Sequence, residues 1–217
     1  MSVRRAMSAL VVAALFAMAA SPAMACKGAE SLLRDDFTEA DPAWSVWWPD
    51  NSSFDIADGK VTATNNPGYW GVMSYDGAFF PAADACVDIT MPAVRDPAGV
   101  WAGIVFTSGD ATYAAYVTPD GKSGVTRANA QGWLDPVKPK VYPAIKTGDG
   151  ATNTLRVVWS GPPAEGSNQP ADPTIQVFVN DQALFKFKVK PNTNRQLGLG
   201  ISAEGATFVF SNLSVTQ

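Results

Sequence analysis

The stretch VWAGIVFTSGDATYAAYVTPDG, residues 100–121, decides the fold class. Val100–Ser108 and Ala111–Thr118 are short runs rich in β-branched and aromatic residues. Such runs favour strands. Gly109-Asp110 between them is a tight-turn pair, and Asp120-Gly121 turns the chain again. Successive strand side chains point to opposite faces. Val100, Ala102, Ile104 and Phe106 therefore share one apolar face, the expected core. Trp101, Gly103 and Val105 share the other. Trp101 is thus predicted on the outer face of its sheet, with room beside it at Gly103, as a shelf for a ligand.

The same pattern extends both ways. Upstream, Leu32–Phe37, Ser53–Ile56, Lys60–Thr64, Tyr69–Tyr75 and Asp84–Met91 read as strands. Asp58-Gly59 is a hairpin signal. Downstream come Lys122–Arg127, Asn153–Trp159, Thr174–Asn180, Ala183–Val189, Gln196–Ala203 and Ala206–Thr216, with Asp181-Gln182 as a turn. Gly161–Pro173 reads as a surface loop. No segment shows a helical period, and 18 Gly and 16 Pro punctuate the runs. A dozen or so strands on one core predict an all-β, two-sheet antiparallel sandwich. Termini in sandwiches often pair, so Leu32–Phe37 is predicted to lie beside Ala206–Thr216.

The first 25 residues read as a secretory leader. Arg4 and Arg5 precede an apolar run, Leu10–Ala19, too short to span a bilayer comfortably. Ser21-Pro22 breaks the run, and Ala23-Met24-Ala25 is a cleavage box. Residues 26–217 then form one domain, periplasmic or secreted, with no later span. Cleavage would leave Cys26 at the new N-terminus. The only other cysteine is Cys86. An even count in an exported chain favours a Cys26–Cys86 disulfide. Lipidation of Cys26 is the alternative, although the leader lacks the Leu of a lipidation box.

The net charge is −4, and loss of Arg4 and Arg5 with the leader takes it to −6. A dispersed acidic balance with no basic run argues against nucleic acid and anionic membrane surfaces as partners.

The order of motifs then resembles a known family. It runs AGIVF, YAAYVTPDG, Gly132-Trp133, NTLRVVWSG, IQVFVND, LGLGISAEG and FVFSNLSV, with DDF, a Trp at position 44 and DGKV upstream. This is similar to the concanavalin A-like lectin and glucanase jelly roll of the laminin-G-like and DUF1080 type, from Asp35 to Val215. The resemblance implies a jelly-roll sandwich, a fold that hosts lectins, hydrolases and inert scaffolds alike. It places Trp44 in the core. Members of the DUF1080 group are often labelled 3-keto-glycoside hydrolases, so the resemblance also permits an enzyme.

The residues give such an enzyme little to work with. Histidine is absent, which removes Ser-His-Asp and Cys-His nucleophiles and His-based zinc sites. Glycoside hydrolysis needs two carboxylates roughly 5 to 10 Å apart. None of Glu30, Glu39, Glu165 and Glu204 has an acid two residues away on a strand. Asp84 and Asp88 share a strand face and are the best remaining pair. No cofactor is expected. Calcium stays open, with oxygen ligands at Asp35, Asp36, Asp76 and Asn212, although no dense Asp/Asn loop is present.

Aromatic residues give more. Sugars stack on aromatic rings, and aromatic patches enrich binding surfaces. Trp101, Arg127 and Trp133 are predicted to meet on one concave face, with Trp133 in a loop. Tyr69-Trp70 is a second candidate. Trp159 shares a face with Leu155 and Val157 and belongs to the core. Trp44, Val46 and Trp48 share parity, which buries Trp48 and leaves Trp47 pointing outward before Pro49-Asp50. The lead function is an exported non-catalytic module binding carbohydrate or a cell-envelope glycan. A glycoside-processing hydrolase and a structural envelope domain are the alternatives.

Overall fold

A computed structural model describes residues 26–161, 174–190 and 194–217. The leader, most of the Gly161–Pro173 loop and Glu165 lie outside the described residues. The chain forms strands β1 Ser31–Asp35, β2 Trp44–Trp47, β3 Ser52–Ala57, β4 Lys60–Asn65, β5 Gly71–Tyr75, β6 Ala83–Thr90, β7 Trp101–Ser108 and β8 Ala111–Val117. It continues with β9 Lys122–Asn129, β10 Gly132–Val141, β11 Thr152–Trp159, β12 Thr174–Val179, β13 Gln182–Lys188, β14 Leu197–Ser202 and β15 Phe208–Thr216.

Two antiparallel sheets face each other. The larger runs β13-β12-β11-β6-β15-β4-β3, with β1 also paired to β15. The smaller runs β10-β9-β8-β7-β14-β5-β2. The termini pair as expected, with Leu33 opposite Val215 and Asp35 opposite Leu213. Strand β15 serves two partners on one side. Its start pairs with β4 and its end with β1. Asn212, at φ 53°, sits in the bulge between.

Alternation builds the core as the sequence predicts. Ala102, Ile104 and Phe106 of β7 meet Ala85, Val87 and Ile89 of β6, and Leu155, Val157 and Trp159 of β11 join them. The Trp159 indole N–H donates to the Phe80 carbonyl at 2.9 Å. A Cys26–Cys86 disulfide pins the N-terminal tail across the outer face of the larger sheet. No helix among the described residues is long and apolar enough to cross a membrane.

Two local expectations need correction. The turn after β12 uses Asn180 and Asp181, both at positive φ, one residue earlier than Asp181-Gln182. That is the two-residue hairpin geometry matched to strand twist. The stretch after Gly132 is also a strand rather than a loop. Strand β10 carries Pro136 and Pro139, which cannot donate to a ladder. Its register to β9 shifts between Leu134 and Val137 and again between Val137 and Lys140, so each proline falls in an irregularity. Strand β10 is also an edge, the place where sheets accept proline.

Candidate ligand-binding cleft

The outer face of the smaller sheet carries a second apolar cluster, separate from the main core. Val72, Trp101, Val105, Ala114 and Tyr116 form it, and Trp47 and Trp70 pack against it. Trp101 therefore stands on the outer face, as its parity predicts. It is not an open shelf, because it is only 6% exposed. Trp70 lies edge-on to it at 4.7 Å between ring centroids, and Tyr116 lies at 5.3 Å. Gly200 of β14 runs beneath. A Cβ there would fall 2.3 Å from the Val105 Cγ2 and 3.5 Å from the Trp101 ring. The bare backbone lets those two side chains close over β14.

Trp133 completes the wall. It is 60% exposed, and its ring centroid is 3.9 Å from that of Trp70. Bulges bend a strand and re-aim its side chains. Those of β10 accompany the placing of Trp133 beside Trp70, which lies before β5 near the far side of the sheet. The opposite lip is Pro97–Val100, a turn closed by the Val100 N–H to Pro97 carbonyl bond at 3.1 Å. Gly99 supplies its positive φ of 76°, which a type II turn demands at that position.

These walls enclose a cleft of about 370 Å³, within the size range of small-ligand sites. Besides the rings, Thr118, Asp120, Lys122, Thr126, Asp135 and Ser202 line it. Asp120 is engaged: Thr118 Oγ1 donates to it at 2.5 Å and Lys122 Nζ lies at 2.5 Å. Burial pushes its carboxyl up, but the Lys122 ammonium and the Thr118 hydroxyl outweigh burial and hold it below the usual aspartate range. Burial pushes the Tyr116 phenol up to about 12, with the Asp135 charge adding to the effect. Tyr116 is therefore a neutral hydroxyl at ordinary pH.

Other predicted site residues fall elsewhere. Arg127 does not join Trp101 and Trp133. It shares parity with Val125, which is in the core, and it sits opposite Tyr113, another core residue. Its position is on the inner side of β9, and its charge acts on Asp110. Tyr69 is 52% exposed, one residue before Trp70. Trp47 lies on the outer face and donates its indole N–H to Ser74 Oγ at 2.9 Å. Trp48, expected to be buried, is 55% exposed. Strand β2 ends at Trp47, and Trp48 turns to φ 56°, so strand parity no longer applies to it. Trp44 packs on the core and donates to Asp35 Oδ2 at 2.6 Å. Sequence reasoning missed Tyr116 and Asp135. Tyr116 shares outer-face parity with Ala114, a signal available in YAAYVT. Asp135 had none, because it depends on β10 being a strand.

The carboxylates considered earlier are engaged in structure. Asp84 accepts from Arg156 Nε and Nη2, both at 2.7 Å, and from the Lys27 N–H at 2.9 Å. Asp88 accepts from Thr154 Oγ1 at 2.5 Å and Asn212 Nδ2 at 2.9 Å. The oxygens considered for calcium are also used locally. Asp35 accepts from the Phe37 N–H, Asp36 from Thr38, and Asp76 from Ser45 and Ser74. Among the described residues, the one cluster of three such ligand groups is Cys26, Asp84 and Cys86. Its two sulfurs are bonded to each other.

No family model matches the chain, and no curated protein matches it in sequence. Solved structures do match in fold. Carbohydrate-binding module CBM66 from Bacillus subtilis aligns with a TM-score of 0.60 at 13% identity, over 81% of this chain and 96% of that one. A GlcNAcα1-4Gal-releasing endo-β-galactosidase from Clostridium perfringens aligns with a TM-score of 0.63 at 8% identity, over 90% of this chain and 64% of that one. A protein of unknown function with a galectin-like fold from Bacillus subtilis gives 0.60 at 9% identity, over 88% and 98%. The fold is thus a two-sheet antiparallel jelly-roll sandwich, shared with a carbohydrate-binding module, a glycoside-cleaving enzyme and a galectin-like protein.

Proposed function

We propose that this chain is an exported, non-catalytic carbohydrate-binding module whose site is the cleft between Trp70, Trp101, Trp133 and Tyr116. The observation that carries this reading is the gathering of four aromatic rings on the outer face of one sheet, around an open cleft rimmed by hydroxyls and charges. Aromatic rings offer flat faces to the C–H side of a sugar, and Thr118, Thr126, Ser202 and Tyr116 offer partners for its hydroxyls. The disulfide fits an oxidising compartment. The carbohydrate-binding module of the same fold supports the reading without deciding the ligand.

The test is a broad glycan array with the wild type and Trp133→Ala. Trp133 is the right probe because it is exposed. Trp101→Ala would empty a buried position and cost about 3–5 kcal/mol of stability. Binding of at least one glycan, reduced at least about tenfold by Trp133→Ala, is expected. No binding by the wild type sinks the module reading.

One observation favours a second reading, a hydrolase of the DUF1080 kind: Asp120 and Asp135 line the same cleft. Against it, a glycoside hydrolase needs one carboxyl held protonated, and Lys122 pulls Asp120 the other way. Release of reducing sugar from a bound glycan, lost in Asp135→Asn, would make this reading the better one.

A further inference from the structure

Resting on the module reading, we propose that the cleft selects a sugar bearing a positive charge, such as a hexosamine with a free, protonated amine. The balance of charge in the walls points there. Three charged side chains line the cleft among the described residues: Asp120, Lys122 and Asp135. Asp120 and Lys122 pair with each other at 2.5 Å. Asp135 has no such partner. Among the described residues no hydrogen bond or ion pair ties it down, and its side chain is exposed on β10 beside Trp133. The cleft therefore presents one uncompensated negative charge.

The rings add to that charge. A cation over the face of tryptophan or tyrosine is attracted by the ring quadrupole, most strongly where water is excluded. Trp70 and Trp101 meet edge-to-face at 85°, and Trp133 meets Trp70 at 66°. Rings at such angles present faces in more than one direction, the arrangement of a cage. The charge of Asp135 also reaches the floor, where it helps hold the proton on Tyr116. Thr118, Thr126 and Ser202 add hydroxyls that a bare alkylammonium ion would leave unused. Rings, one free carboxylate and hydroxyls together match an amino sugar better than a neutral one.

Calorimetric titration of the full mature domain decides this with three β-1,4-linked tetramers: glucosamine, N-acetylglucosamine and glucose. At about pH 5.5 carboxylates are ionised and the free amines are charged. The glucosamine tetramer is expected to bind at least about tenfold more tightly than either neutral one. Asp135→Asn, at an exposed position, should bring the three within about threefold of each other, and added salt should weaken only the glucosamine complex. Equal or tighter binding of a neutral tetramer overturns the amine preference and leaves the module reading standing. Binding of none overturns the preference too, and the glycan array then decides whether the module survives. Competition by tetramethylammonium as strong as by glucosamine would assign the cage to a bare cation and overturn the sugar assignment.

Discussion

The outward face of the larger sheet is closed, whereas that of the smaller sheet is open. On the larger sheet, Cys86 and Asp84 of β6 lie under the N-terminal tail, which is tied by the disulfide and by the Lys27 N–H. The Arg156 guanidinium forks onto Asp84 and lies 4.5 Å over the Phe178 ring. The two charges beneath the tail, Asp84 and Arg156, are paired with each other. On the smaller sheet, the outer apolar cluster is roofed by Trp70 and the exposed Trp133, and Asp135 has no partner among the described residues. Structural charge is paired off and covered, whereas recognition keeps a charge and a ring exposed.

The largest expected effect comes from opening the closed face. The disulfide joins residues 60 apart in sequence, and its loss frees a chain of that length in the unfolded state. In the chain-entropy account this costs about 4 kcal/mol. For a domain of this size that lowers Tm by roughly 10 °C. The Cys26→Ala/Cys86→Ala double variant, or reduction of the wild type, tests it by calorimetry. Glycan affinity at 20 °C should stay unchanged, because the cleft lies on the other sheet. A parallel loss of affinity would show that the two faces are coupled.

Next comes Arg156→Met. The Asp84 and Arg156 side chains are 9% and 12% exposed. Removing one partner strands the other charge at the cost of about 3 kcal/mol. The Asp84→Leu/Arg156→Met double variant should recover most of that, since apolar replacement of a buried pair is often neutral. Urea unfolding of the two variants checks both statements. Equal loss in both would mean the pair holds the tail by geometry rather than by mutual charge.

The contrast between the faces also shows what was legible beforehand. Parity placed the main core and put Trp101 on the outer face, because period-2 alternation is a local property of each strand; the pairing of the terminal strands came instead from the habit of sandwich termini to pair. It failed where the backbone left the regular strand. Trp48 was misplaced because β2 stops at Trp47 and φ turns positive. Trp133 was read in a loop, and the irregular edge register that lets β10 carry Pro136 and Pro139 is not written in the sequence. Arg127 was grouped with Trp101 although its own parity with Val125 already put it on the inner side. Whether Trp101 is open or roofed depends on Trp70 arriving from another strand, and alternation within one strand carries no such information.

The smallest effect is a pH signature of the open face. Tyr116 titrates near 12 in the fold against an ordinary value of 10.0, chiefly through burial and secondarily through Asp135. A phenol with a raised pKa binds its proton more tightly folded than unfolded. The stability it contributes is fully present below about pH 10 and is lost as pH rises towards 12. Tyr75 and Tyr142 are also pushed up by burial, so the wild type alone cannot isolate the effect. The comparison with Tyr116→Phe can. Urea stability from pH 10 to 12 should fall less steeply in that variant, and Asp135→Asn should fall between the two. Identical slopes for wild type and Tyr116→Phe would mean that solvent reaches the Tyr116 hydroxyl freely. The cleft floor would then be wet, and a cage for a cation would lose the water exclusion on which its strength depends.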